Sequence, residues 1–289
     1  MQPVMSERPE QALLSNPRSD RVKAVARLSG RSARLRAGRF AVEGPQAVRE
    51  ALASPGSVRE FYATAEAAQR YPEIVAAAGA LARPVTDEVL AAMLADGGTS
   101  TPQGLLAVCD LISVPLEPVL ERRPTMVAVL SQVRDPGNAG TVIRAADAAG
   151  ADAVVLTDAS VDVHNPKAVR ATAGSLFHLP VVTGLPLASA IAQLRAAGLS
   201  VLAADGAGDT NLDDLSDAAE TDPAALLAGP VAWVFGNEAW GLPDADRALA
   251  DAVVRVPVHG RAESLNLATA ATVCLYATAR AQRRRAAHP

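Results

Sequence analysis

Three polar stretches in the second half of the chain each follow a short apolar run, an arrangement that can hold a ligand. The first is LSQVRDPGNAGTVIRAADAAGAD, residues 130–152, in which the run MVAVL ends in a turn rich in glycine and proline. A loop between a parallel strand and a helix commonly binds anions or cofactors. We expect Asn138 to cap a helix that runs from Ala139, and Arg144 to project from that helix.

The second stretch is VFGNEAWGLPDADR, residues 234–247, in which another apolar run ends in a Gly-Asn-Glu sequence. Glycine at position 236 would let a bound ligand approach the backbone closely. Glu238 follows as the first acidic side chain after that run. By itself this stretch also fits an ordinary turn from a strand to a helix.

The third stretch is VPVHGRAESLNLATAATVCLYATA, residues 256–279, in which a polar loop opens the final helix. Ser264 is of a type that caps helices. Asn266 would lie in the first turn of this helix. Because asparagine has low helix propensity, we expect its side-chain amide to have a second role.

Histidine and cysteine residues are not spaced as metal ligands. His164 and His259 have no ligand partner three or four residues away, and Cys109 and Cys274 lie in neither a CxxC nor a CxxH pattern. We therefore expect no metal and no disulfide framework, which fits a reducing cytoplasm.

The composition is that of a globular protein. Of 289 residues, 49% are hydrophobic and 20% charged, which allows a sizeable core and argues against wholesale disorder. Aromatic residues make up only 3%, so the core must consist mainly of Ala, Val and Leu. The sequence has neither a run long enough for a membrane helix nor the apolar segment of a signal peptide, and we expect no membrane association.

Basic residues concentrate at two places although the net charge is −4. The first group is Arg18, Arg21, Lys23, Arg27, Arg31, Arg34, Arg36 and Arg39. The second group is Arg280, Arg283, Arg284 and Arg285. Local basic stripes can bind phosphates, and a solvated helix face gives the same pattern. RNA or DNA is therefore a candidate partner.

The order of apolar runs and helical stretches predicts two α/β domains. We expect a flexible arm at 1–17, a small domain at 18–112, a proline-rich linker at 113–124 and a larger domain at 125–289. Strands are predicted at 40–44, 60–64, 82–86, 103–111, 126–130, 152–157, 178–182, 200–205, 231–236 and 252–258. Because nearly continuous apolar strands alternate with helices in the larger domain, we expect a parallel sheet covered on both faces. The acidic segment 205–223 is predicted to be an exposed excursion.

Taken in order, the stretches DPGNAGTVIRAADAAGAD, VFGNEAWGLP and VPVHGRAESLNLATAA resemble the three motifs of the SpoU-type branch of the SPOUT methyltransferases. Enzymes of this family methylate the ribose 2′-hydroxyl of RNA. The segment GRFAVEGPQAVREAL resembles the small RNA-binding domain related to ribosomal protein L30e that precedes the catalytic domain in rRNA-modifying members. The likeness comes nearest to the thiostrepton-resistance type of rRNA methyltransferase.

The resemblance implies a parallel α/β fold whose C-terminal segment threads into a trefoil knot. The knot loops would bind S-adenosylmethionine through backbone groups, at positions that correspond to Gly236, Val256 and Leu265. The resemblance also implies a homodimer formed through the knotted faces, with the final helix and the loop 234–247 as interface candidates.

The same resemblance assigns roles to five polar side chains. Arg144 would bind the phosphate next to the target ribose and stabilise the developing alkoxide, because a guanidinium is very hard to deprotonate. The alternative is that Arg144 acts as a base, its pKa lowered by neighbouring groups. Asn138 would orient the hydroxyl or that arginine. Ser264 and Asn266 would hold methionine-side groups of the cofactor and the loop, and Glu238 would organise the loop by accepting hydrogen bonds from backbone donors.

RNA binding is assigned to the basic residues of the small domain. Arg31, Arg34, Arg36 and Arg39 are the candidates for holding folded RNA by its phosphate backbone. The small domain favours rRNA as the substrate, with tRNA as the alternative. Two further rivals are a non-catalytic RNA-binding protein on the same fold and a nucleotide-dependent oxidoreductase. The first would show a broken motif, and the second should carry GxGxxG where this chain has GNAGTVIR.

Overall fold

The computed structural model describes residues 11–95, 97 and 101–287, and the chain divides into two compact units. The units are Met1–Leu111 and Ile112–Pro289. Most of the predicted arm, residues 1–10, lies outside the described residues.

The described part of the first unit contains a four-stranded sheet. Its strands are β1 (Arg39–Glu43), β2 (Val58–Ala63), β3 (Ala82–Pro84) and β4 (Leu105–Asp110). Its helices are α1 (Asp20–Ala26), α2 (Arg31–Ala37), α3 (Pro45–Ala53), α4 (Ala65–Arg70), α5 (Pro72–Ala78) and α6 (Asp87–Leu94). The strand order is β1-β4-β2-β3, with β4 antiparallel to both neighbours and β3 parallel to β2.

Local sequence signals explain the helix ends of this unit. Pro72 separates α4 from α5 because proline has no amide to donate and is tolerated only in a first turn. Thr86 caps α6, its hydroxyl accepting from the amide of Val89 at 3.3 Å. Leu14, within the predicted arm, forms a parallel bridge to Val85, so this part of the arm is paired.

Within its described residues, the second unit is built on a parallel sheet of seven strands in the order β7-β6-β5-β10-β8-β11-β9. The strands are β5 (Met126–Leu130), β6 (Ala153–Thr157), β7 (Val181–Leu185), β8 (Ser200–Ala204), β9 (Thr210–Asn211), β10 (Val231–Phe235) and β11 (Ala252–Arg255). The helices are α7 (Glu117–Glu121), α8 (Pro136–Ala149), α9 (Pro166–Thr172), α10 (Leu187–Ala196), α11 (Leu212–Thr221), α12 (Asp244–Arg247) and α13 (Leu267–Ala287). The predicted parallel α/β class is confirmed.

Two segments of the second unit differ from their predictions. The segment 113–124, expected to be a linker, contains α7 and buries Leu116 and Val119 in the core beneath the sheet. The acidic segment 205–223 is not a simple excursion, since it forms β9 and α11 and buries Leu212. In both cases a few apolar side chains attach a mainly polar segment to the core, which offsets the cost of ordering it.

Helix α8 packs closely against both α9 and α13. A Cβ at Gly140 would lie 2.5 Å from the carbonyl oxygen of Ala168 and 2.6 Å from the Cβ of Ala171, so only glycine fits there. On β10, the buried Trp233 donates its indole N–H to Thr278 of α13 at 2.8 Å. The glycine therefore lets α8 and α9 approach closely, and the buried indole hydrogen bond holds α13 against the sheet.

Four strands of this sheet end beside one another. In the sheet β5, β10, β8 and β11 are consecutive neighbours and parallel, so their carboxyl ends meet at one edge. Ligands of open parallel sheets bind outside this edge. The three polar stretches follow β5, β10 and β11, and the fold therefore gathers them at the same place. None of the helices in the described ranges is long and apolar enough to cross a membrane.

Candidate active site

The loop after β5 begins α8 three residues earlier than predicted. Asp135 is the N-cap, its carboxylate accepting from the amide of Asn138 at 2.7 Å, and Pro136 occupies the first turn. The expectation that Asn138 caps a helix from Ala139 is therefore wrong. Because the cap is Asp135, the side chain of Asn138 is free to reach other loops.

The loop after β10 is closed by its own backbone. Asn237 and Gly241 exchange two backbone hydrogen bonds of 2.9 Å each. The side chain of Asn237 also donates from Nδ2 to the carbonyl oxygen of Gln132 at 2.7 Å. A Cβ at Gly236 would lie 2.5 Å from the Gly241 carbonyl oxygen and 2.7 Å from the amide nitrogen of Leu242. Glycine is thus required at 236 by the protein's own backbone, whereas the sequence suggested a ligand.

One chain of side-chain hydrogen bonds joins the three stretches. Asn138 donates from Nδ2 to Oε1 of Glu238 at 3.2 Å, and its Oδ1 accepts from Nδ2 of Asn266 at 3.1 Å. The Glu238 carboxylate also accepts from the backbone amides of Asp135 at 3.3 Å and Arg134 at 3.5 Å. Glu238 therefore holds the loop that starts α8, as the organising role requires.

The third stretch enters α13 through Asn266. Its Oδ1 accepts from the amides of Ala268 at 2.9 Å and Thr269 at 3.4 Å, which makes it the capping side chain. Ser264, predicted to cap this helix, is exposed and lies two residues before that cap. The second role suspected for Asn266 is its contact with Asn138.

A cleft of about 820 Å³ opens at the carboxyl ends of β8, β10 and β11. Its lining includes Gly236, Val256 and Leu265, the positions assigned to the cofactor, together with Glu238 and Ser264. The volume falls in the range of pockets that enclose drug-sized ligands, about 300–1,000 Å³. Backbone turns and apolar side chains supply the donors, acceptors and walls that an adenosine group needs, so the residues fit S-adenosylmethionine.

Arg144 lies apart from the hydrogen-bonded chain. It is exposed on α8, is not among the residues that line the cleft, and has no hydrogen-bond or ion-pair partner among the described residues. It follows Asn138 by six residues, or roughly 9 Å along a helix axis. Glu238 and Ser264 thus line the cleft, and Asn138 and Asn266 are connected to it by hydrogen bonds through Glu238. Arg144 stays outside this group.

Several side chains near the cleft were not anticipated from the sequence. Asp205, in the cleft lining after β8, pairs with Arg247 at 3.3 Å. Arg134 places its guanidinium carbon 5.0 Å from the ring centroid of Trp240. The position of Asp205 at the end of a predicted strand was a usable signal, since such ends carry functional groups in parallel sheets.

Lys167, at the start of α9, pairs with Asp135 at 3.3 Å. The hydrogen bond from the Asn138 amide, followed by the Lys167 ammonium, lowers the pKa of the Asp135 carboxyl below its ordinary value, against the opposite effect of partial burial. The carboxylate form of this N-cap is therefore favoured in the folded chain, which keeps the start of α8 capped. In the described ranges, His, Cys, Asp and Glu side chains form no cluster of three or more that could hold a metal ion.

The four arginines assigned to RNA divide into three kinds. Arg31 and Arg36 are exposed on α2. Arg39 is partly exposed and lies 3.5 Å from Glu60. Arg34 is only 1% exposed and donates to the carbonyls of Leu28 and Ser29 at 2.8 and 2.6 Å. The expectation for Arg34 is corrected, because a guanidinium enclosed in this way cannot reach an RNA phosphate.

A parallel sheet with a glycine-bounded cleft at its carboxyl edge is typical of an α/β enzyme that binds a nucleoside-containing cofactor. The model for the SpoU rRNA methylase family matches residues 125–276, and that for the MRM3-like substrate binding domain matches residues 19–107. The chain belongs to the SpoU rRNA methylase family. The family resemblance seen in the three motifs is confirmed, and the trefoil knot stays a prediction.

Two curated relatives cover most of the chain. The 23S rRNA (guanosine(2553)-2′-O)-methyltransferase RlmP of Bacillus subtilis is 35% identical over 264 residues, which is 91% of this chain and 97% of that protein. The 23S rRNA (uridine(2479)-2′-O)-methyltransferase of Streptomyces viridochromogenes is 33% identical over 266 residues, 88% of this chain and 87% of that one.

Two crystal structures share the fold and hold S-adenosylmethionine. One is an AdoMet-bound rRNA methyltransferase from Sinorhizobium meliloti, with a TM-score of 0.78, 29% identity and coverage of 93% of this chain and 97% of that chain. The other is the SpoU methyltransferase AviRb from Streptomyces viridochromogenes in complex with AdoMet, with a TM-score of 0.77, 29% identity and coverage of 92% and 99%. The expected enzyme class and cofactor are thereby confirmed.

Proposed function

We propose that this chain transfers the methyl group of S-adenosylmethionine to the ribose 2′-hydroxyl of one nucleotide in 23S rRNA. The observation that carries the proposal is the hydrogen-bonded chain from Asn266 through Asn138 to Glu238 at the edge of the cleft. These polar groups come from the three motifs of the family, and Glu238 among them lines the cleft proposed for the cofactor. The 23S rRNA specificity of the relatives from Bacillus subtilis and Streptomyces viridochromogenes supports this substrate.

The cofactor would be held in the cleft by Gly236, Val256 and Leu265. When bound there, S-adenosylmethionine supplies an electrophilic methyl group on a sulfonium. The main contribution of the protein would be alignment, because holding two reactants in the correct relative orientation can lower the activation barrier considerably. Ser264, exposed in the cleft lining, would contact the methionine portion.

Asn138 would orient the 2′-hydroxyl. Its amide is fixed on one side by Glu238 and on the other by Asn266, so it presents one defined face to the cleft edge. Glu238 would keep this geometry and would not act as the base, since it already accepts from two backbone amides and from Asn138.

Arg144 would bind the phosphate beside the target ribose and stabilise the negative charge that develops on the oxygen. Its place outside the cleft lining supports a homodimer in which one copy supplies Arg144 to the cleft of the other. Exposed apolar side chains of the second unit supply a surface for this association, including Val273 and Tyr276 on α13.

The first unit would hold folded rRNA through exposed cations of α2. Arg31 and Arg36 have no ion-pair partner among the described residues, which leaves both available to phosphates. Arg39 would contribute less, because Glu60 and Asp110 already lie near its guanidinium. An rRNA substrate favours a cytoplasmic location for the enzyme.

The decisive experiment is methylation of an unmodified 23S rRNA transcript with labelled S-adenosylmethionine, followed by mapping of 2′-O-methyl positions. A tRNA transcript and 16S rRNA serve as matched substrates in the same assay. One new methylated nucleotide in 23S rRNA is the expected result. Methylation of tRNA alone would overturn the substrate assignment, and binding of both rRNA and cofactor without any methylation would establish the non-catalytic alternative.

A further inference from the structure

Trp240 is an exposed aromatic side chain at the edge of the cleft. It has 49% of its surface exposed, whereas the other tryptophan of the chain, Trp233, is fully buried. Arg134 lies over its ring, with the guanidinium carbon 5.0 Å from the centroid. The backbone ring closed by Asn237 and Gly241 carries Trp240 and Glu238 together.

We propose that Trp240 stacks against the base of the nucleotide that is methylated, with Arg134 supporting the other face of the indole. This inference rests on the proposed function, since it concerns the same substrate. Trp240 would be a binding residue for RNA, and Arg134 would position it.

The first argument is location. Trp240 lines the cleft two residues after Glu238, which is hydrogen-bonded to Asn138. A ribose whose hydroxyl reaches Asn138 carries its base on the adjacent carbon of the sugar ring. That base must leave the RNA stack to enter the cleft edge, and an extruded base needs a new surface to cover its faces.

The second argument is chemistry. Single-stranded and extruded bases are commonly received on aromatic side chains and arginine planes, because every base has a π-face. The Arg134 guanidinium covers one face of the indole, which holds the ring in place and leaves half of its surface exposed. The exposed part of Trp240 offers a bound group a large flat apolar surface.

Two other groups could cover this indole. The adenine of the cofactor has the same stacking chemistry as a target base, and a second copy of the chain could bury Trp240 in an interface. The cation beside the ring favours RNA over an apolar protein surface, because stacking on Trp240 brings the phosphates of the nucleotide near Arg134. The experiment below separates these three occupants.

Intrinsic fluorescence gives a direct readout, since Trp240 is the exposed one of two tryptophans. The Trp240→Phe variant, measured in parallel, gives the fluorescence of Trp233 and the effect of absorption by RNA. Subtraction of its signal from that of wild type leaves the fluorescence of Trp240. We expect S-adenosylhomocysteine alone to change the Trp240 signal little, and unmodified 23S rRNA transcript added afterwards to quench it saturably. Full quenching by S-adenosylhomocysteine, or no quenching by the transcript, would overturn the proposal.

Activity and assembly state complete the test. Trp240→Phe keeps an aromatic face and should stay within about threefold of wild type. Trp240→Leu should lower kcat/KM for RNA by about 5- to 150-fold, the range that loss of one stacked base predicts. Affinity for S-adenosylhomocysteine should not change in either variant. Equal activity of the two variants would refute base stacking, and conversion of Trp240→Leu to a smaller species in sedimentation would assign Trp240 to a chain–chain interface. If wild type methylates no RNA, the proposed function fails, and quenching by the transcript still reports whether Trp240 meets RNA.

Discussion

The side chain of Asn138 is held between Glu238 and Asn266, donating to the first at 3.2 Å and accepting from the second at 3.1 Å. An amide fixed at both ends can present only one orientation to a substrate. Glu238 in turn accepts from the backbone of the loop that begins α8, so the loop and the amide move together. The site therefore depends on contacts between residues far apart in sequence.

Removal of the Glu238 carboxylate should misplace Asn138. We expect Glu238→Ala to lower kcat by about 100-fold, the scale of a small positional error in an active site. Glu238→Gln keeps an acceptor and should lose only about tenfold, because a neutral acceptor is weaker than a charged one. The shape of the pH–rate profile should be the same in wild type and Glu238→Gln. Loss of its acidic limb in Glu238→Gln would instead identify Glu238 as the general base.

Substitution of Arg144 should abolish methyl transfer without loss of the cofactor. Arg144→Ala should bind S-adenosylmethionine nearly as well as wild type, as measured by calorimetry, because Arg144 does not line the cleft. Arg144→Lys should not restore activity if two-point phosphate binding by a guanidinium is required. Weak cofactor binding by Arg144→Ala would refute this assignment.

A mixture of two inactive variants tests whether Arg144 acts across a dimer. Arg144→Ala retains an intact cleft, and a variant with a defective cleft, Gly236→Ala, retains Arg144. When the two are unfolded and refolded together, mixed dimers should recover part of the wild-type rate. Continued inactivity of refolded mixed dimers would place Arg144 in the site of its own chain.

The Gly236→Ala variant should itself lose cofactor binding. Its added methyl group would collide with backbone atoms of Gly241 and Leu242, which have no side-chain freedom to yield. We expect Kd for S-adenosylhomocysteine to rise by at least about tenfold, the cost of roughly 1.4 kcal/mol. Gly229→Ala is the matched control at the other end of the same strand, where a Cβ would meet only an ordinary contact of 3.7 Å. Equal Kd values for the two variants would show that the loop tolerates the methyl group.

The charge of Asp135 should make the start of α8 sensitive to acid. The pKa of the Asp135 carboxyl is lowered in the folded chain, first by the backbone amide of Asn138 and then by Lys167. Its contribution to the free energy of unfolding is therefore present above the unfolded pKa and is lost as pH falls through the folded pKa. Asp135→Asn retains a capping side chain without the charge. The free energy of unfolding of wild type should exceed that of Asp135→Asn at neutral pH, and denaturant titrations should show the difference vanishing in acid. A difference that persists in acid would contradict an origin in this carboxylate.

The exposed cations of α2 should contribute to RNA affinity in a salt-dependent way. In the double variant Arg31→Gln, Arg36→Gln, the slope of log affinity against log salt should fall by about 1.4–1.8, as expected for two lost phosphate contacts. Arg49→Gln is the control, since Arg49 is exposed in the same unit but paired with Glu73 at 3.0 Å. An unchanged slope in the double variant would exclude α2 from the RNA surface.

Much of the fold could be read from the sequence, because apolar runs mark buried parallel strands. The runs at 126–130 and 152–157 correspond to β5 and β6 within a residue. Strand β9 is only two residues long and α7 only five, which is too short for any periodicity to be visible. Their existence depends on apolar side chains that meet the core, such as Leu116 and Leu212.

The sequence predicted which residues belong to the site better than it predicted the hydrogen bonds among them. Asn138, Glu238 and Asn266 were identified from their motifs, yet the bonds among them span up to 128 residues and have no local signal. The true cap, Asp135, could have been recognised because proline follows it at the first helical position. The burial of Arg34 could not, since nothing in a seven-residue helix reveals which face meets the interior.

The long sequence separations in the hydrogen-bonded chain have a consequence for biosynthesis. Asn138 leaves the ribosome 100 residues before Glu238 and 128 residues before Asn266. Contacts this distant form slowly, because the intervening chain must first be ordered. The hydrogen-bonded chain that links the three stretches is therefore complete only once Asn266 has been synthesised and the start of α13 has docked beside Asn138.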